Sequence, residues 1–297
     1  MALYTAQCTN PPSVEMKPVN TEARYKRIKV EERTPGFGAW IRDIDLTCYL
    51  DTETKRELRD ALFEFGVIFF SPQELSDSQM LDLADVFGNG LAPQTGLVRE
   101  ADRPTVEFLT YDRELKFTTD LWHTDSCWVK EPPLGQILQM MELPPVGGGT
   151  NWLSMSKAYE RLSAPTKSYL DQLTGVHSWE MGVIRTMRLA SGYDEFLDMV
   201  KRYPPVEHPL VMRHPITGRK AIYCNEVYTI YIKDLHQRES DSMLRVIYDW
   251  VKQPEFILQH KWEKGEIVVW DLYSTLHYGS NDFWPWRRVL RRLPFKL

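Results

Sequence analysis

The chain has no closely spaced pair of cysteines. Cys8, Cys48, Cys127 and Cys224 are scattered with no CxxC among them, which argues against a zinc knuckle or a disulfide framework and favours a reducing, cytoplasmic setting. No run approaches the roughly eighteen apolar residues of a membrane span, and the N-terminal stretch has neither a basic leader nor an apolar core of secretory length. Positive charge is not in excess either: 36 Lys and Arg against 41 Asp and Glu leave a net charge of -5. A broad nucleic-acid surface is therefore not expected. There is no HExxH helix, and no GK[ST] follows Gly147-Gly148-Gly149, so a zincin site and a phosphate loop are both missing. No repeat or coiled-coil heptad is visible.

What is present is 297 residues, 43% of them hydrophobic, enough for one full core in one domain. Residues 1–20 hold Pro11, Pro12 and Pro18 without an apolar rhythm and read as a flexible N-terminal tail; 21–297 reads as a single domain. Strands are expected at Tyr25–Val30 and from Ala39, and helices after the caps Asp51 and Ser76. Gly66 and Gly88 close those helices. Val67-Ile68-Phe69-Phe70 is apolar throughout and reads as a central strand. Residues 89–119 lose periodicity apart from a strand at Thr105–Leu109, the place for a lid or substrate loop or, equally, for a surface excursion with no role. A helix is expected over Tyr159–Leu173, helical pieces with Arg185 and Arg188 over 175–205, and another helix over Asp241–Lys252. The C-terminal part is strand-rich: Phe256–Trp262, Ile267–Trp270, the His277 segment and Arg287–Phe295.

The chemistry centres on Leu121-Trp122-His123-Thr124-Asp125. On an extended chain, residues two apart project to the same side, so His123 and Asp125 can share a ligand. With the distant His277 they match a 2-His-1-carboxylate facial triad, which holds non-haem Fe(II) on one face and leaves the other open. Taken alone, His-x-Asp is a weak signal, since an aspartate here can simply start a turn.

Four motifs in order make the pattern specific. Trp122-His123-Thr124-Asp125, Gly148-Gly149-Thr150, His214-Pro215 through Gly218-Arg219-Lys220 to Asn225, and Trp270-Asp271 to His277 followed by Arg287-Arg288 and Arg291-Arg292 resemble the taurine dioxygenase family. These are the Fe(II)- and 2-oxoglutarate-dependent oxygenases that include the 2,4-dichlorophenoxyacetate dioxygenases. The likeness runs from about residue 25 to the C-terminus. Gly149 stands where an aspartate is common in the family.

The resemblance implies an α+β, β-rich fold with a double-stranded β-helix (jelly roll) core and flanking helices. It implies Fe(II) on His123, Asp125 and His277, with 2-oxoglutarate and O2 at the open positions. Thr150 and Arg288 would bind the distal carboxylate of 2-oxoglutarate, for which a planar guanidinium fork is suited. Arg292, four residues further along the strand and on the same face, would hold an acidic group of the substrate. Tyr228 aligns with an aromatic that packs on substrate. His177, in Gly175–Trp179, falls in a region that contributes to substrate pockets, and Thr119 stands four residues before His123 where taurine-specific members carry asparagine. Taurine is therefore not expected. Trp128, Trp179 and Phe117 are candidates for an apolar pocket wall and equally for core.

The implied reaction is oxidation, chiefly hydroxylation, of a C–H bond of a small organic acid with an apolar body, coupled to conversion of 2-oxoglutarate to succinate and CO2. The presence of Asp125, absent from related halogenases, favours an oxygenase outcome, with desaturation as the alternative. A homo-oligomer, dimer or tetramer, is usual for the family. Two other readings stand beside it: a zinc hydrolase on the same three ligands, and a non-catalytic barrel that binds a metabolite. The first leaves Arg288 without a role. His208, His214, His236 and His260 read as structural or surface groups, and the C-terminal arginines, family aside, as a solvated basic patch.

Overall fold

A computed structural model describes residues 21–90, 106–113, 120–186 and 193–297. The tail at 1–20, most of the proposed lid, Thr119, Phe117 and Arg188 lie outside the described residues. The chain is a mixed α+β structure rich in strands. Its largest sheet has eight strands. The order along it is Lys29–Thr34, Phe37–Arg42, Val67–Phe70, Ile267–Asp271, Gly135–Glu142, Arg288–Lys296 and Asn89–Gly90, with Glu107–Tyr111 also pairing the strand Arg288–Lys296. Phe37–Arg42 and Val67–Phe70 run parallel. A second sheet of three strands places Thr150–Ser154 between Ile257–His260 and Thr275–Gly279.

Alternation along the interior strands builds two cores at once. Ile68 and Phe70, with Ile267, Val269 and Leu293, face the helices Thr52–Phe65 and Asp77–Phe87. Val67 and Phe69, with Val268, Trp270 and Leu290, face the other way and meet Trp152, Leu258 and Trp262 of the smaller sheet region. Because both faces of Val67–Phe70 are covered, its apolar run needs no polar side. The two helices are capped as their sequences predict. The Asp51 carboxylate accepts from the Thr54 amide at 2.8 Å, and Gly66 ends that helix at φ 71°. Ser76 and Gln79 form a reciprocal capping box.

Several expected elements differ in extent. The stretch 159–173 is two short helices, Met155–Glu160 and Ala164–Leu170. Ser163 caps the second and Pro165 sits in its first turn, a place where proline is tolerated but which breaks a continuous helix. The later helix starts earlier than expected, at Gln237, because His236 and Glu239 cap it together. The first strand is shifted to Lys29–Thr34 behind a turn of helix at Thr21–Arg24. The C-terminal arginines are not a solvated patch: Arg288, Arg291 and Arg292 are buried.

Candidate metal centre and its cavity

His123 and His277 are brought together by backbone. They form an isolated antiparallel bridge in which each amide donates to the other's carbonyl, at 3.0 and 2.8 Å. His277 belongs to the strand Thr275–Gly279, itself paired to Thr150–Ser154 with His277 opposite Trp152. The imidazole centroids lie 4.1 Å apart. Asp125 begins the turn that follows His123, with Ser126 at φ 56°, so the expected extended geometry ends at the carboxylate itself. Even so, Asp125 Oδ1 lies 3.8 Å from His123 Nε2 and Oδ2 lies 3.9 Å from His277 Nε2. One ligand atom from each residue falls within 4.8 Å of the others.

Protonation suits this trio to a divalent cation. The Leu121 carbonyl can only accept, so His123 Nδ1, 2.7 Å away, carries its hydrogen and leaves the Nε2 lone pair facing Asp125. Burial first, then the nearby His123, pulls His277 down to about 3, which keeps its ring neutral. Burial works against the Asp125 carboxylate, yet His277, Arg292 and His123 outweigh it, and its pKa is lowered. Gln136 adds a hydrogen bond to the same carboxylate. Two imidazoles and one ionised carboxylate are donors that Fe(II) accepts.

The trio opens into a cavity between the two sheets that encloses about 490 Å³, including the part open to solvent. Arg288, Leu290 and Arg292 line it from one strand, Thr150, His277 and Gly279 from the other sheet, and Leu109, Tyr111, Gln136, Leu138 and Trp270 complete the wall. The period of two along Arg288–Lys296 sends residues 288, 290 and 292 inward. Arg291 points away and ties Leu75 O, Gln139 and Asp77. Arg288 Nη2 donates to Thr150 Oγ1 at 3.2 Å, and Trp262 Nε1 donates to the same oxygen at 2.9 Å. With both lone pairs taken, the Thr150 hydroxyl has its own hydrogen left to offer a ligand. Burial pulls Arg288 down to about 10, still charged at neutral pH. The three glycines serve packing: Gly147 and Gly148 both have positive φ, and a Cβ on Gly148 would meet Pro144 Cγ at 2.9 Å and Arg288 Cδ at 3.3 Å.

The remaining sequence candidates separate. Tyr228 stands at the edge of the site, its ring 6.4 Å from that of His123 and tilted by 48° against Trp128 at 4.3 Å. Asn225 Oδ1 accepts the amides of Val227 and Tyr228 and so fixes that turn. His177 is fully buried behind it, on Thr229 Oγ1 at 3.2 Å and between His208 and Tyr223, and is not among the residues lining the cavity. Arg292 lines the cavity, but its guanidinium is engaged by Glu107. Sequence reasoning passed over Glu107 and Gln136. The available sign was a charged or amide residue inside an apolar strand pattern, Thr105-Val106-Glu107-Phe108-Leu109 and Gly135-Gln136-Ile137-Leu138.

Two imidazoles and a carboxylate converging beside a buried arginine that faces open space define a class of protein, one built to hold a single divalent metal with a small anion beside it. Comparison with known proteins narrows the class. Residues 29–293 match the family model described as taurine catabolism dioxygenase TauD, TfdA family, and the chain belongs to that family. An alkylsulfatase of Acinetobacter baylyi is 31% identical over 90% of this chain and 84% of its own. An alpha-ketoglutarate-dependent sulfate ester dioxygenase of Pseudomonas putida is 30% identical over 86% and 85%. The crystal structure of a taurine dioxygenase from Burkholderia xenovorans superposes with a TM-score of 0.75 at 30% identity, covering 91% of each chain. The protein is an oxidoreductase, a dioxygenase dependent on 2-oxoglutarate (alpha-ketoglutarate), Fe(II) and O2. No helix among the described residues is long and apolar enough to cross a membrane.

Proposed function

We propose that His123, Asp125 and His277 hold the iron, that Arg288 and Thr150 take the distal carboxylate of 2-oxoglutarate, and that the enzyme hydroxylates a C–H bond of a small organic acid. The carrying observation is that one cavity joins the His-Asp-His trio to the Arg288–Thr150 pair. When bound, iron and 2-oxoglutarate supply the oxidation, 2-oxoglutarate leaving as succinate and CO2. The chain supplies position and dryness. The bridge between His123 and His277 fixes both imidazoles before any ligand arrives. Arg288 offers charge and Thr150 a hydrogen, both buried, where a charge-assisted hydrogen bond is strong. Leu109, Leu138, Leu290 and Trp270 give apolar wall to the substrate body and exclude water.

The names of the relatives, an alkylsulfatase and a sulfate ester dioxygenase, support an acid with an apolar body. Tyr228, beside His123, is the aromatic placed to pack on that body. Within this reading the two facing sheets form a double-stranded β-helix core, residues 21–297 form one domain, and the chain assembles as a dimer or tetramer. Three unpaired cysteines, Cys48, Cys127 and Cys224, support a cytoplasmic location.

The test is anaerobic addition of Fe(II) and then 2-oxoglutarate. A weak visible charge-transfer band is expected, and release of succinate with loss of substrate on admitting oxygen. A folded, iron-loaded protein without the band rejects the site assignment.

A further inference from the structure

Arg292 is placed to seat an acidic group, yet the Nε–Nη2 edge of its guanidinium is already taken and Nη1 faces a second carboxylate. Nε at 2.9 Å and Nη2 both donate to Oε2 of Glu107. Nη1 lies 3.8 Å from Asp125 Oδ2. Glu107 and Arg292 are direct partners across antiparallel strands, and each is only 6% exposed. A carboxylate or sulfate head binds arginine tightly by laying two oxygens along one edge. Here one edge is filled by a carboxylate of the protein and another faces a second.

Charge counting agrees. Asp125 and Glu107 both lie against Arg292, and Arg288, the other arginine of the cavity wall, has the charge of Asp282 acting on it, so the described wall carries no surplus of positive charge. Fe(II) and the 2-oxoglutarate dianion also cancel. A permanent anion placed against Arg292 would then be buried with no cation of its own, a costly arrangement.

We infer that Glu107 is a specificity-determining residue: it masks Arg292, so the part of the substrate that lies against Arg292 is uncharged, and sulfate and sulfonate heads are turned away from that seat. The inference rests on the site assignment above, with Arg288 rather than Arg292 taking 2-oxoglutarate. The substrate acid is therefore oriented with its apolar body toward Leu109, Leu138 and Leu290 and its charged group away from Arg292. The likeness to an alkylsulfatase does not extend to a sulfate head seated on this arginine.

Calorimetric titration of the anaerobic Fe(II)- and 2-oxoglutarate-loaded protein tests this with two probes of equal chain length, hexyl sulfate and hexanamide. Glu107→Gln keeps the side-chain shape and removes the charge, and it strengthens hexyl sulfate binding by about tenfold or more with little change for hexanamide. In the double variant Glu107→Gln, Arg292→Met that gain is lost. No gain for hexyl sulfate in Glu107→Gln, or a gain that survives loss of Arg292, overturns the assignment. Should Glu107→Gln not fold, Glu107→Ala is read in the same way: no gain for hexyl sulfate overturns the assignment. The charge-transfer band, recorded on the same samples, reports separately on the iron and 2-oxoglutarate sites, so failure of the mask is distinguishable from failure of the site.

Discussion

His123 and His277 exchange both of their main-chain hydrogen bonds, so the imidazole from the middle of the chain and the one near its end are held by the same two-residue ladder. Each ring is positioned by backbone that the metal does not have to organise. His277→Ala should therefore keep the fold and lose metal. The expected drop in Fe(II) affinity exceeds the ~10–100-fold typical of losing an outer-shell partner, read by metal titration with the far-ultraviolet spectrum unchanged. Parent-like affinity would exclude His277 as a ligand.

Arg288→Ala should spare iron and weaken 2-oxoglutarate. Truncating one partner of a buried charged pair costs roughly 2–5 kcal/mol, on the order of thirtyfold or more in the 2-oxoglutarate concentration required. Thr150→Val should weaken it less, because a single neutral hydrogen bond contributes about 0.5–1.5 kcal/mol. Equal 2-oxoglutarate requirements in parent and Arg288→Ala would remove Arg288 from the site.

Gly148→Ala tests the glycine turn. At φ 71° a side chain is strained, and the new methyl meets Pro144 and Arg288. We expect a loss of about 1–2 kcal/mol in unfolding free energy with a raised 2-oxoglutarate requirement, since the methyl presses on the Arg288 stem. Stability lost without any change in 2-oxoglutarate binding would show that Arg288 tolerates the displacement.

Arg291 and Arg292 are neighbours with opposite duties. Arg291 joins the helix Asp77–Phe87 to the sheet through Asp77 at 2.8 Å and through Gln139. Arg291→Met should lower the melting temperature while leaving turnover per folded molecule close to the parent value. A selective loss of turnover would place Arg291 in the site.

His177 gives a pH dependence of stability. Burial, then His208, lowers its pKa to about 3, so the folded protein keeps the ring neutral where the unfolded chain, near 6.5, takes up a proton. Its contribution is complete above about pH 6.5 and is lost as pH falls toward 3, by up to ~1.4 kcal/mol per pH unit. His208 is lowered by burial too and acts in the same direction. His177→Leu should flatten the decline in unfolding free energy between about pH 6.5 and 4, measured by urea denaturation. An unchanged slope would mean that the ring accepts a proton in place.

The sequence was most readable where one local rule decided the outcome. Asp51, Ser76 and Gly66 mark helix ends because caps act within a turn, and Val67–Phe70 announces an interior strand because both of its faces are apolar. The site was readable as motifs, and its backbone basis was not: nothing in the letters near His123 says that residue 277 will pair with it. Pairings across long separations also hid Glu107, whose partner lies on another strand, and they bury Arg288, Arg291 and Arg292, which, the family likeness aside, read as a solvated patch. His177 is not among the described residues lining the cavity, and a motif neighbourhood alone does not say which side of a strand meets it.

The ladder between residues 123 and 277 also governs when the site can exist during synthesis. A chain growing from its N-terminus carries His123 and Asp125 long before it carries the second imidazole, and Arg288 later still, on the strand ending at Lys296. With the ligands proposed above, a ribosome-bound fragment thus has no complete iron seat until residue 277 has emerged and paired with residue 123.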